Sequence, residues 1–134
     1  MASTPVVFPY KFAGGRLSPI VSAGIRLNGQ WQVAELYVDS GAFYTLLHAT
    51  FAASFGFDYK KGRRILMQVG DGGMIPVYLH ELPMQLGVIK FQAPLGFSER
   101  LGVGFNLLGR LGVFERFRIC FHEKRKVVSF QRMR

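Results

Sequence analysis

Apolar residues fall in short runs, and the runs alternate with polar positions more often than they repeat at helical spacing. Residues 20–27 (Ile-Val-Ser-Ala-Gly-Ile-Arg-Leu) end at Asn28-Gly29, and residues 31–38 return. Asn-Gly between apolar runs predicts a hairpin, because both residues tolerate positive φ. Asp39-Ser40-Gly41 then breaks the pattern. Residues 47–55 predict a short helix stopped by Gly56. Residues 64–69 and 74–79 predict strands around a sharp turn of Gly70, Asp71, Gly72 and Gly73. Two more strands are expected at 82–86 and 88–95. A glycine-spaced apolar segment covers 101–108, and 112–117 suits a helical turn. Residues 118–121 and 127–130 predict a closing hairpin. Many short strands at turn-rich spacing imply an all-β barrel-like or sandwich domain with one or two short helices.

Composition narrows this. The chain has 134 residues, the size of one domain, and 49% are hydrophobic, which argues against disorder. We expect a single domain over 1–134, with its core at about 18–131 and a basic tail at 132–134. One cysteine, Cys120, excludes an intrachain disulfide and a Cys-rich zinc site. The first residues lack a basic segment followed by an apolar core, so no signal peptide is expected. The longest charge-free stretch, 41–57, is interrupted by polar residues and makes a poor membrane span. These features suit a cytoplasmic protein or a soluble fragment of a larger one.

Lys and Arg total 17 against 8 Asp and Glu, a net charge of +9. The excess concentrates beyond residue 110 and suits a solvated face, or docking to RNA, a membrane surface or an acidic partner. The acids are more informative. Seven of the eight lie in strands, in turns or beside bases. Asp39 differs, because an apolar strand delivers it to a tight turn whose small neighbours, Ser40, Gly41 and Ala42, let a ligand approach closely. On that tripeptide alone a plain Asp-Ser-Gly turn is the better account, since the sequence is frequent in turns.

Two later features change the weighting. Leu107-Leu108-Gly109-Arg110 stands downstream, and the glycine-tipped hairpin lies between. In this order the motifs resemble those of the retropepsin-like (retroviral-type) aspartic protease family, over about residues 20–130. The resemblance implies an acid protease barrel and an aspartic endopeptidase. Asp39 would be catalytic, and Ser40 would brace two catalytic loops. Gly41 and Ala42 would lie along the substrate backbone. Gly70, Asp71, Gly72 and Gly73 would tip a flap. Leu107, Leu108 and Gly109 would pack under the active-site loop, and Arg110 would start a helical turn. The chain departs from the retroviral pattern after Ala42, where Phe43-Tyr44 replace acidic residues that engage the Arg. The partner of Arg110 is thus open, and substrate contacts near Phe43 should be more apolar.

Aspartic protease chemistry needs two carboxylates sharing one proton. This chain carries one Asp-Ser-Gly, so a working site implies a homodimer with Asp39 of each chain on a two-fold axis. The expected partners are therefore a second copy and a peptide or protein substrate. No cofactor or metal is expected.

Other signals are weaker. The glycine turn lacks the Lys-Ser/Thr of a P-loop. Residues 102–107 lack the third glycine of a dinucleotide fingerprint. Cys120 and His122 share a strand face without paired metal ligands nearby, and Cys120 suits the core. His48 and His80 read as cap and surface residues. Phe43, Phe57 and Phe97 are candidates to line a cleft. Nucleic acid is not the expected partner, since no RNA-recognition signature is present. The alternative reading is a non-catalytic small β-barrel that binds peptide or nucleic acid through its basic face. An inactive protease-fold dimerisation module is a third.

Overall fold

The computed structural model describes residues 4–133. Residues 1–3, where the absence of a leader was expected, and Arg134 of the basic tail lie outside them.

The Asn-Gly hairpin forms as expected. Strand β4 (Ile20–Leu27) pairs antiparallel with β5 (Gln30–Val38), from Ile20 opposite Tyr37 to Leu27 opposite Gln30. Asn28 and Gly29 both take positive φ, 52° and 76°. Alternate side chains of the pair, among them Val21, Ala23, Ile25, Ala34, Leu36 and Val38, enter the main core.

Seven strands form the main sheet. Besides β4 and β5 they are β6 (Thr45–His48), β7 (Arg63–Gln68), β8 (Met74–Leu86), β9 (Ile89–Ser98) and β10 (Asn106–Leu108). Their order is β4-β5-β10-β6-β9-β8-β7, and β4 also pairs with β8, which curls the sheet into a barrel. A second sheet has the order β1-β12-β11, from β1 (Val6–Pro9), β11 (Phe117–His122) and β12 (Val127–Arg132). Strands β2 (Lys11–Ala13) and β3 (Arg16–Ser18) make a separate hairpin. Ordered strands thus begin N-terminal to the expected core, and Tyr10 is buried there.

Several expectations need correction. Helix α1 covers only Ala49–Ser54, because Leu47 and His48 belong to β6. Leu46 and Leu47 are buried between β10 and β9, and a short, fully apolar run has no period to separate strand from helix. The segments at 74–79 and 82–86 are one long strand, β8, which pairs with β7 over Met74 to Leu79 and with β9 from Tyr78 to Leu86. The strand runs on through His80 and Glu81, but its buried positions change from Ile75, Val77 and Leu79 to Met84 and Leu86, so the strict alternation is broken there. The helical turn expected at 112–117 does form: Phe114 and Phe117 donate backbone N–H groups to the carbonyls of Arg110 and Val113. Cys120 is half-buried rather than a core residue. His80 is not a free surface residue: its Nε2 lies 2.7 Å from the Tyr59 carbonyl and its ring packs on Phe57 and Phe97. Phe97 is fully buried, so it lines no cleft, and the half-buried Phe57 packs against it. Phe43 is 48% exposed.

Two apolar clusters hold the barrel. The larger fills the space between the sheets with side chains such as Phe97, Phe117, Val128 and Phe130. The smaller joins Ile75, Val77 and Leu79 of β8 to Leu46 and Leu101, with Tyr44 and Leu107 packed against it. The stem of the glycine-tipped hairpin and the loop after β5 therefore rest on the same side chains.

Candidate active site

Asp39 follows Val38 at the end of β5, and the chain returns through β6 after a loop of residues 39–44. Strand β10 is threaded between these two strands, parallel to β5 and antiparallel to β6. Leu107 and Leu108 stand opposite Tyr37 and Val38. The loop is thereby held from below. Asp39 donates its N–H to the Leu108 carbonyl at 3.0 Å, and Arg110 donates to the Ala42 carbonyl at 2.9 Å. Leu111 donates to the Phe43 carbonyl at 2.8 Å.

Gly109 is where the two segments touch. A Cβ there would lie 2.2 Å from the Tyr44 carbonyl oxygen, closer than any atom pair allows. Its N–H donates to the Thr45 hydroxyl at 3.0 Å, and that hydroxyl is fully buried. The apolar-apolar-Gly-Arg run thus has a physical reason. Two apolar residues make the inserted strand, the glycine permits backbone contact, and Arg110 begins the helical turn.

Within the loop, Asp39 Oδ1 accepts the Gly41 N–H at 2.8 Å, and the Asp39 carbonyl accepts the Ala42 N–H at 3.2 Å. One carboxylate oxygen is fixed by the backbone, and the side chain stays half-buried. Ser40 and Gly41 are exposed. The Arg110 guanidinium lies 5.8 Å from the centre of the Phe43 ring. An aromatic face therefore receives this Arg, a contact worth about 0.5–1 kcal/mol at an exposed position.

The glycine turn caps the β7–β8 hairpin, closed by Val69 N–H to the Gly73 carbonyl at 2.8 Å. Gly72 takes φ +87°, which disfavours any side chain. Asp71 Oδ1 accepts the Gly73 N–H at 2.8 Å, so Asp71 stabilises its own turn. Gly70, Asp71, Gly72 and Gly73 are all exposed.

A cavity of about 360 Å³ opens beside Asp39, lined also by Arg16, Ser18, Tyr37, Phe105 and Leu107. A second, of about 510 Å³, lies behind the Tyr37–Phe105 pair and reaches Glu35, His48 and Asn106. The two rings are 5.1 Å apart and form the common wall. Sequence reasoning missed Arg16, Tyr37, Thr45 and Phe105. Only Tyr37 carried a usable signal, since it precedes Asp39 by two and so shares its strand face. His48 sits at the N-cap position of α1, but its side chain makes no cap bond, and its buried Nε2 has no hydrogen-bond partner among the described residues. Among the described residues no group of three or more His, Cys, Asp or Glu is placed to hold a metal. No helix among them is long and apolar enough to cross a membrane.

No protein-family model matches the chain, and comparison with curated proteins finds no match. Solved structures do match. A retropepsin-like aspartic protease from Rickettsia conorii superposes with a TM-score of 0.67 at 16% identity, covering 98% of this chain and 94% of that one. EIAV protease complexed with the inhibitor HBY-793 gives 0.54 at 14% identity, covering 75% and 88%. With β10 threaded under the Asp39 loop and two such structures superposing on most of the chain, the chain has a retropepsin-like fold.

Proposed function

We propose that the chain is an aspartic endopeptidase that acts as a homodimer, with Asp39 of each copy forming the catalytic pair. The observation that carries this reading is the Asp39 loop. A half-buried carboxylate ends an apolar strand, one oxygen is tied to the Gly41 N–H, and an inserted strand braces the turn from below. The fold it shares with two solved aspartic proteases supports the same reading.

In the proposed reaction the pair holds one proton between two carboxylates, because like charges that close do not both ionise readily. The ionised partner takes a proton from a bound water. The water oxygen attacks the scissile carbonyl, and the protonated partner gives its proton to that carbonyl oxygen. The tetrahedral intermediate collapses, the C–N bond breaks, and the amine leaves with a proton. No covalent enzyme intermediate forms. The exposed Ser40 hydroxyl is available to brace the partner loop, and Gly41 and Ala42 offer backbone to an extended substrate. The hairpin with Gly70, Asp71, Gly72 and Gly73 at its tip acts as the flap. Leu107, Leu108 and Gly109 support the loop, and Arg110 anchors it through the Ala42 carbonyl.

The test combines cleavage of a quenched peptide library with sedimentation. Cleavage should be blocked by a transition-state inhibitor of aspartic proteases and should reside in a dimer. Full activity in a species that sediments as a monomer would sink the proposal. Salt-sensitive nucleic-acid binding with no cleavage would support the non-catalytic barrel instead.

A further inference from the structure

The cavity beside Asp39 has a cationic side chain in its wall. Arg16 lies on the β2–β3 hairpin, is exposed, and lines the same space as Asp39, Tyr37, Phe105 and Leu107. Among the described residues no carboxylate lies within ion-pair distance of its guanidinium; the ion pairs there use Lys11, Lys60 and Lys126. The other cation of the hairpin, Lys11, is neutralised by Glu35 at 2.6 Å and also donates to Ser22 at 2.6 Å. Arg16 is therefore the uncompensated charge of this hairpin. Asp39 is the one acid among the residues lining the cavity, and the proposed reaction already occupies it.

We infer that Arg16 makes this cavity a subsite for an acidic side chain, so that the substrate carries Asp or Glu within about two residues of the scissile bond. The inference rests on the endopeptidase reading. Tyr37, Phe105 and Leu107 provide apolar surface for the methylene stem of a glutamate. The guanidinium offers a planar fork of N–H donors that matches a carboxylate, a geometry a lysine reproduces only as a point charge. Glu35, the acid nearest in sequence to Tyr37, is held by Lys11 and Ser22 and lines the neighbouring cavity instead. A two-fold dimer presents the subsite twice, so the preference recurs on both sides of the cleaved bond.

Arg16 is solvent-exposed, and an exposed ion pair supports a selectivity of about two- to fivefold. The experiment compares kcat/KM for quenched octapeptides that differ only by Glu, Gln or Lys at each position around the bond. The wild type should favour Glu over Gln at one position on each side. Arg16→Gln should erase the preference, Arg16→Lys should retain part of it, and Arg16→Glu should turn it toward Lys. In parallel, fluorescence anisotropy measures binding of the same peptides to Asp39→Asn, with and without Arg16→Glu. Cleavage without a Glu preference, or a preference that survives in Arg16→Glu, overturns the subsite and leaves the endopeptidase reading standing. Glu-dependent binding lost in Arg16→Glu, with no cleavage by the wild type, supports the subsite and overturns the endopeptidase. Neither cleavage nor Glu-dependent binding overturns both.

Discussion

Replacing Gly109 by alanine tests the packing under the Asp39 loop. The new Cβ would meet the Tyr44 carbonyl oxygen at 2.2 Å, the Tyr44 carbonyl carbon at 2.3 Å and the Thr45 nitrogen at 2.8 Å. Carbon and oxygen settle at about 3.3–3.6 Å, so the two backbones must part by about 1 Å. All three atoms are main chain, and no side-chain rotamer relieves the clash. Separation weakens the Gly109 N–H to Thr45 hydroxyl bond and the Arg110 N–H to Ala42 carbonyl bond. Two such bonds contribute about 1–3 kcal/mol together. Overpacking adds about 1–3 kcal/mol. The sum, about 2–6 kcal/mol, is a large share of the 5–15 kcal/mol typical of a domain. Urea denaturation should read this loss directly, and Tm should fall by about 10–20 °C. Gly104→Ala is the control, because a Cβ there meets nothing within 4 Å and its φ is ordinary. It should change stability by less than about 0.5 kcal/mol. A Gly109→Ala protein within 1 kcal/mol of that control would refute the close approach of β10 to the loop (threshold about 1 kcal/mol).

Asp39→Asn should abolish cleavage while circular dichroism and sedimentation stay unchanged; residual turnover would remove Asp39 from its assigned role. Thr45→Val keeps the shape but leaves the buried Gly109 N–H without its acceptor, and should cost about 1–3 kcal/mol in a urea titration. A hydrogen bond from Tyr59, and then the charge of Lys60, hold the Glu99 carboxyl below the ordinary glutamate value, while the Tyr59 hydroxyl is pushed up to about 12, first by that same bond. A lowered carboxyl pKa favours the folded form above the ordinary range, and the benefit fades as pH falls through the lowered value. A carboxyl-carbon NMR titration should place Glu99 below the ordinary glutamate value, and Tyr59→Phe should move its midpoint upward; an unmoved midpoint would assign the shift elsewhere.

Much of the barrel could be read from alternation and turn chemistry. Asn28-Gly29 located the first hairpin and the glycine-rich turn with Gly72 the second, because the left-handed backbone at Asn28, Gly29 and Gly72 favours those residue types. The site was legible for a related reason. The glycine before Arg110 is demanded by close backbone contact, and Gly41 lies beside the Asp39 carboxylate, so both leave a local mark. Other parts left none. Strand β1 (Val6–Pro9) depends on β12, a partner more than a hundred residues away in sequence, and short strands such as β2 and β3 lack a periodic run. Leu47 read as helix because a fully buried strand has no alternating face. Arg16 and Phe105 join the cavity beside Asp39 only through tertiary placement, and no spacing rule brings residues of three separate segments together.

The threading of β10 also sets an order of events. Asn106 reaches the Glu35 carbonyl across 71 residues, and Gly109 reaches Thr45 across 64. Such contacts carry a loop-closure cost that local hairpins avoid, so they form late in folding. A nascent chain that has emerged only as far as β9 holds Asp39 at the end of β5 without the strand that shapes its turn. By this logic the turn at Asp39 takes its shape only after β10 has inserted, so two distant stretches of chain must meet before that loop is set.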